Sequence, residues 1–194
     1  MTDFSNIRVG VLALQGAVSE HLTQIEALGA TAVAVKHITQ LAGLDALVLP
    51  GGESTAIGRL MREYGFIEAI REFSAQNKPI FGTCAGMILL AKQIIGGEPS
   101  HLDLMDIAVQ RNAFGRQIDS FQADLTVKGL EAPFPAVFIR APYIAQLLSS
   151  DIEVLAEIEG NVVLAKQNNL LACSFHPELT PDTRIMRLFM QMIK

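Results

Sequence analysis

Over the first half of the chain, short unbroken apolar runs alternate with segments whose apolar residues recur at helical spacing. "RVGVLAL" (Arg8 to Leu14) is rich in Val and Leu, the pattern of a strand covered on both faces. Gln15-Gly16 breaks it. "AVSEHLTQIEALG" follows, with Leu22, Ile25 and Leu28 at helical spacing and Gly29 as a stop. "ATAVAVKHI" and "DALVLPGG" read as the second and third strands, with "TQLAGL" a short turn or helix between them. "STAIGRLMREYG" and "FIEAIREFSAQN" predict consecutive helices, the first capped by Ser54 or Thr55. "PIFGT" is a fourth strand and "AGMILLAKQI" its helix. This alternation predicts an α/β domain with a mostly parallel sheet.

After Gly96-Gly97 the pattern changes. "LMDIAVQR", "SFQADLTV", "AVFIRAP", "EVLAEIEG", "NVVLAKQ" and "LLACSF" are short strand-like runs separated by turn residues, so antiparallel strands join in the second half. Asn168-Asn169 suits a hairpin turn. Thr180-Pro181 opens a last helix whose stripe is Ile185, Leu188, Phe189 and Met192. No repeat, low-complexity tract or linker interrupts residues 1–194, which read as a single domain.

Charge and cysteine count narrow the function. A formal charge of −5 argues against a nucleic-acid partner, which needs a basic face. No apolar run approaches the ~18 residues of a membrane span, and the N-terminus lacks a signal-peptide pattern. Two cysteines are no disulfide framework, and no cluster has metal-ligand spacing, so neither metal nor other cofactor is expected. A reducing cytoplasmic compartment is the expectation.

One cysteine sits in "GTCAG", Gly82 to Gly86. A strand before it and a helix after it fit a nucleophile elbow, whose flanking positions must be small. A helix N-terminus also favours a thiolate. From spacing alone, Cys84 reads either as this nucleophile or as a buried thiol. "SFHPEL" offers the partners. Pro177 biases His176 toward an extended backbone, where residues two apart share a side, so Glu178 can orient His176 as a base. A plain surface turn is the other reading. "LVLPGGEST" puts Gly51-Gly52 at the carboxyl end of a strand, where backbone N–H groups of the loop and of Ala85 can bind an oxyanion. It lacks the lysine of a phosphate loop, and "LALQGAV" is no dinucleotide fingerprint. Together these pieces predict cysteine acyl transfer, without choosing among amide, ester and peptide substrates.

The same residues resemble the class I, triad-type glutamine amidotransferases, and within them the glutaminase subunits of pyridoxal 5′-phosphate synthase. "LALQGAVSEH", "LVLPGGESTAIGRL", "FGTCAGMILLAK", "QRNAFGRQ", "FIRAPYI" and "SFHPELT" carry the likeness over nearly the whole chain. "GTCAGM" and "HPE" mark the class, whereas "GGEST", "QRNAFGRQ" and "IRAPYI" mark the narrower group. "LTPDT" departs from it, with Pro181 where an acidic residue is frequent. The resemblance implies a flavodoxin-like three-layer sandwich. It implies hydrolysis of L-glutamine to glutamate and ammonia, the ammonia passing to a (β/α)₈-barrel synthase subunit, and it attaches both hydrolase and lyase labels to the chain. Cys84, His176 and Glu178 would form the triad, Gly52 and Ala85 the oxyanion hole. Gly52, Glu53, Ser54, Arg111, Ile139 and Arg140 would line the glutamine site, and Gln15 would couple the partner to the oxyanion loop. His21 and His37 read as solvated, His101 as a loop residue and Cys173 as core. The glutaminase of histidine biosynthesis, a stand-alone cysteine hydrolase and a non-catalytic scaffold are the competing readings.

Overall fold

The apolar runs of the first half are strands, and those inside the sheet are buried on both faces. In a computed structural model, which describes residues 1–112 and 120–194, β1 (Arg8–Leu12), β2 (Thr31–Val35), β3 (Ala46–Leu49) and β4 (Ile80–Thr83) lie parallel in the order β2-β1-β3-β4. Residues 113–117, the "AFGRQ" of the motif "QRNAFGRQ", fall outside the described residues. β12 (Leu170–Cys173) joins β4 in parallel, so Cys173 lies beside Thr83. The chain's late strand thereby ends next to the turn that carries Cys84.

Period-2 alternation divides each strand between two cores. Leu47 and Leu49 face one, with Ile57, Met61, Phe66 and Ile70 from α2 (Ser54–Glu63) and α3 (Phe66–Ala75). Ala46 and Val48 face the other, with Ile25 of α1 (Val18–Ala27) and Ile185 and Phe189 of α5 (Arg184–Met190). Helices on both faces of a central sheet give the three-layer α/β fold expected of a flavodoxin-like chain.

β11 (Asn161–Gln167) runs antiparallel to β12 through the Asn168-Asn169 turn, with Asn168 at φ +52°. Beyond it lie β9 (Tyr143–Leu147), β6 (Met105–Gln110) and β5 (Ala91–Ile94), and β10 (Glu153–Ile158) pairs with β11. β7 (Ser120–Leu125) and β8 (Phe134–Ile139) form a separate hairpin over the second core, with Phe134 and Phe138 packed on Phe175.

Local boundaries differ from the sequence reading in four places. The helix after Cys84, α4 (Ala85–Leu90), stops after six residues, and residues 91–94 become β5, paired in parallel with β6. β9 has no counterpart among the predicted strands. The last helix starts at Arg184 behind Thr183, not at Pro181. Glu53, rather than Ser54 or Thr55, caps α2, its carboxylate accepting the Thr55 and Ala56 N–H groups at 3.0 and 2.8 Å. A carboxylate satisfies two orphan helix donors at once and complements the helix dipole.

Candidate active site

Cys84 stands at the junction of β4 and α4 with φ +51° and ψ −107°, a backbone conformation that a non-glycine residue holds only under restraint. Its N–H donates to the Cys173 carbonyl at 2.8 Å, which pins the turn to β12. Gly82 and Gly86 make the turn possible. A Cβ on Gly86 would strike the Leu49 carbonyl, and one on Gly82 the Gly86 carbonyl, so α4 can sit this close only over glycine. The thiol points toward the Ile139 carbonyl, 3.9 Å from Sγ.

His176 arrives from the end of β12. Its N–H donates to the Val137 carbonyl at 2.8 Å, and Pro177 starts a 3₁₀ turn (Pro177–Leu179) that carries Glu178 back beneath the ring. His176 Nδ1 and Glu178 Oε1 are 2.6 Å apart, with both residues buried. A bare α-carbon is needed at Gly51, where a Cβ would meet the His176 ring. Helix α1 fixes the turn from below. Gln24 Nε2 donates to the carbonyls of Pro177 and Thr180 at 2.9 Å and of Asp182 at 3.3 Å.

Burial alone would push His176 down. Hydrogen bonds to Cys84 and Glu178 and the charges of both outweigh it and raise the imidazole to about 10. Burial likewise works against the Glu178 carboxylate, but the His176 hydrogen bond and the neighbouring histidines hold it below its ordinary value. The pair is therefore built to keep a proton on the imidazole when a negative charge stands beside it. α4 is too short to add much dipole, so His176 is the main charge partner available to a Cys84 thiolate. The second thiol differs: burial pushes Cys173 well up, and its Sγ donates to the Phe175 carbonyl at 3.2 Å.

A cleft of about 530 Å³ opens over Cys84, in the range of small-molecule sites. All the residues singled out in the sequence line it except Glu178, which lies behind His176, and Gln15. Gln15 sits behind the loop, its Oε1 accepting the Glu53 N–H at 2.9 Å. The Gly51 carbonyl is tied to the Ala17 N–H at 3.0 Å, which sets the orientation of the Gly51-Gly52 peptide. Ser54 Oγ is buried at the cleft with no hydrogen-bond partner among the described residues. Arg111 extends over the cleft, 2.6 Å from Glu98 Oε2 and 3.4 Å from Glu53 Oε1. Slight burial opposes the Glu53 charge, but the Thr55 and Ala56 N–H groups and Arg111 outweigh it and hold the carboxyl low. Arg140 is exposed at the rim with φ +43°, next to Ile139. Among the described residues, no group of three or more His, Cys, Asp or Glu could hold a metal ion.

One histidine departs from the sequence reading. His21 is fully buried, not solvated, with Nε2 3.2 Å from Thr83 Oγ1 and 3.7 Å from Glu178 Oε2. His101 lies in the loop between β5 and β6, as read, and is buried there against Gly58, with Nδ1 3.2 Å from Arg62 Nη2. The signal for His21 was present: it lies one helical turn before Ile25, on the core-facing side of α1.

The family model of the SNO glutamine amidotransferase family matches residues 11–194. The chain belongs to the SNO glutamine amidotransferase family. A relative from Pasteurella multocida, named pyridoxal 5′-phosphate synthase subunit PdxT, is 65% identical over 192 residues, covering 99% of this chain and 100% of the relative. One of the same name from Bacillus velezensis is 57% identical over 186 residues, covering 96% and 94%. A crystal structure described as a glutamine amidotransferase superposes with a TM-score of 0.91 at 48% identity, covering 95% of this chain and 98% of that one. Family membership also corrects one expectation. The lyase label does not fit, because an amidotransferase of this family calls for hydrolysis of an amide rather than elimination. Among the described residues, no helix is long and apolar enough to cross a membrane.

Proposed function

We propose that residues 1–194 act as one cytoplasmic glutaminase domain that hydrolyses L-glutamine and passes the ammonia to the (β/α)₈-barrel subunit of pyridoxal 5′-phosphate synthase. The observation that carries this reading is the His176–Glu178 pair at 2.6 Å beside Cys84, inside a cleft bordered by arginine. The names of the Pasteurella and Bacillus relatives support the choice of synthase over that of histidine biosynthesis.

In the proposed reaction, Cys84 Sγ attacks the side-chain amide carbon of glutamine while His176 Nε2 takes the thiol proton. Glu178 on Nδ1 selects the tautomer that leaves Nε2 free to accept. The N–H groups of Gly52 and Ala85 hold the oxyanion of the tetrahedral intermediate. His176 returns its proton to the departing nitrogen, which leaves as ammonia, and a thioester remains on Cys84. Water, activated by the same imidazole, releases glutamate and restores the thiol. Arg111 and Arg140 pair with the substrate α-carboxylate, Glu53 faces its ammonium, and Ser54 and Ile139 complete the pocket. Gln15, bonded to the Glu53 N–H, links the oxyanion loop to the partner-facing surface.

Ammonia release is measured with and without the synthase subunit. Strong stimulation by the synthase, abolished in Cys84→Ala, is the expected result. Turnover of an ester or casein by the chain alone, with none of glutamine in the complex, would support a stand-alone hydrolase instead.

A further inference from the structure

We propose that His21, on helix α1, is a positioning residue that holds the second carboxylate oxygen of Glu178 and so keeps His176 in its working orientation. The inference rests on the triad reading above and extends it to a residue outside the cleft.

Glu178 has one oxygen on His176 Nδ1 at 2.6 Å. Its other oxygen, Oε2, is buried and makes no hydrogen bond among the described residues. The polar group facing it is His21 Nε2, at 3.7 Å, and both side chains are wholly shielded from solvent. A buried carboxylate oxygen without a dipole opposite it is costly, so the imidazole meets a need that water cannot. The same Nε2 lies 3.2 Å from Thr83 Oγ1, the residue immediately before Cys84. His21 therefore touches both arms of the relay, the elbow strand and the His-Glu turn.

The ring's protonation follows from its surroundings. Burial pushes His21 below its ordinary value, more strongly than Glu178 pulls it up, so the ring is neutral near pH 7. Nδ1 is buried and has no partner among the described residues. An orphaned N–H is rarer inside proteins than an orphaned acceptor, which puts the single proton on Nε2, facing Thr83 and Glu178. The arrangement is a hydrogen-bearing dipole aimed at the carboxylate, with no second full charge. The other titratable groups facing His21 are His176, across the carboxylate, and Glu20, on its own helix. Those facing Glu178 are His176, His21 and the thiol of Cys173.

Without His21, Glu178 can swing or take up a proton more readily, and His176 loses part of its hold on a proton. Cys84, whose thiol proton His176 accepts, then reacts more slowly on the acid side. The test is iodoacetamide labelling of Cys84 in the full-length chain across about pH 5 to 9, read by mass spectrometry so that Cys173 is scored separately. In His21→Leu the labelling midpoint moves up by about one pH unit, a tenfold slower reaction on the acid side. His21→Gln, whose amide nitrogen reaches as far as Nε2, keeps the wild-type midpoint. His21→Asn, whose amide stops at the Nδ1 position, shifts it as Leu does. A purely structural histidine would lower the melting temperature in these variants and leave the midpoint alone, which overturns the proposal. So does a Gln variant indistinguishable from Asn, a comparison that decides the matter even if the Leu variant does not fold. Because the probe is iodoacetamide, a chain acting on some acyl group other than glutamine would give the same labelling, and failure here concerns His21 alone.

Discussion

Glu178→Gln keeps the side chain's shape and removes its charge, and the consequence can be sized from the site. Glu178 is 5% exposed and meets His176 Nδ1 at 2.6 Å, so little solvent screens the pair. His176 is held at about 10 against an ordinary 6.5. That gap is a preference of roughly 5 kcal/mol for the charged ring. Burial opposes it, so Cys84 and Glu178 together supply all of it. Loss of the Glu178 charge is expected to bring His176 down from that value and to shrink the thiolate–imidazolium population accordingly. The amide brings a second penalty. Its NH₂ must face either His21 Nε2 or His176 Nδ1, and against Nδ1 it selects the tautomer whose Nε2 already carries a proton. That tautomer cannot accept from the thiol. Glutaminase activity in the synthase complex, followed by coupled glutamate oxidation, should fall by about 10²–10⁴ in kcat/KM. A folded variant keeping more than about a tenth of the wild-type rate would refute the charge argument.

Other expectations are narrower. Gly86→Ala forces α4 off the Leu49 carbonyl and should cost about 2 kcal/mol, seen as a melting temperature several degrees lower; an unchanged melt would mean that the elbow can relax. Arg111→Ala should raise KM for glutamine by about tenfold or more with a smaller change in kcat, and lysine should restore little of it; a fall in kcat at constant KM would count against carboxylate pairing. Stability should peak near neutral pH. His21 has a lowered value, so the unfolded chain gains protons first as pH falls below 6.5, and stability drops; Glu178, also lowered, adds its loss as pH falls below 4.5 toward its folded value. His176 is raised, so its contribution is complete below 6.5 and is lost as pH rises toward about 10. Denaturant midpoints that climb steadily from pH 6.5 to 9.5 would contradict this last assignment.

The parallel half of the fold was readable because strands buried on both faces leave unbroken apolar runs, as in "ALVL" of β3. The end of α4 was not. Ala91 to Ile94 continue the helix-like pattern, no Gly or Pro intervenes, and only pairing with β6, a tertiary contact, turns them into a strand. β9 hid for a related reason: its burial does not alternate, since residues 145–147 are all exposed. At the cleft, Cys84 between glycines followed a local rule; the extended run expected through His176 and Glu178 is instead a 3₁₀ turn over Pro177–Leu179, which brings the carboxylate to the ring by another route. His21 was not read, because a lone histidine in an amphipathic helix defaults to the wet side. Only the contact with Glu178, 157 positions further along the sequence, shows what it faces.

Gln24 grips the turn of Pro177 to Asp182 across more than 150 residues of sequence. In the proposed triad, the chain's first helix and its last strand must therefore meet before the thiol has a base. During synthesis, Cys84 leaves the ribosome long before His176 does, so the nascent polypeptide carries a thiol with no partner to activate it. On the proposed mechanism, the reactive pair is completed only as the final segment docks, and a chain cut short before residue 176 would be chemically silent rather than an uncontrolled source of ammonia.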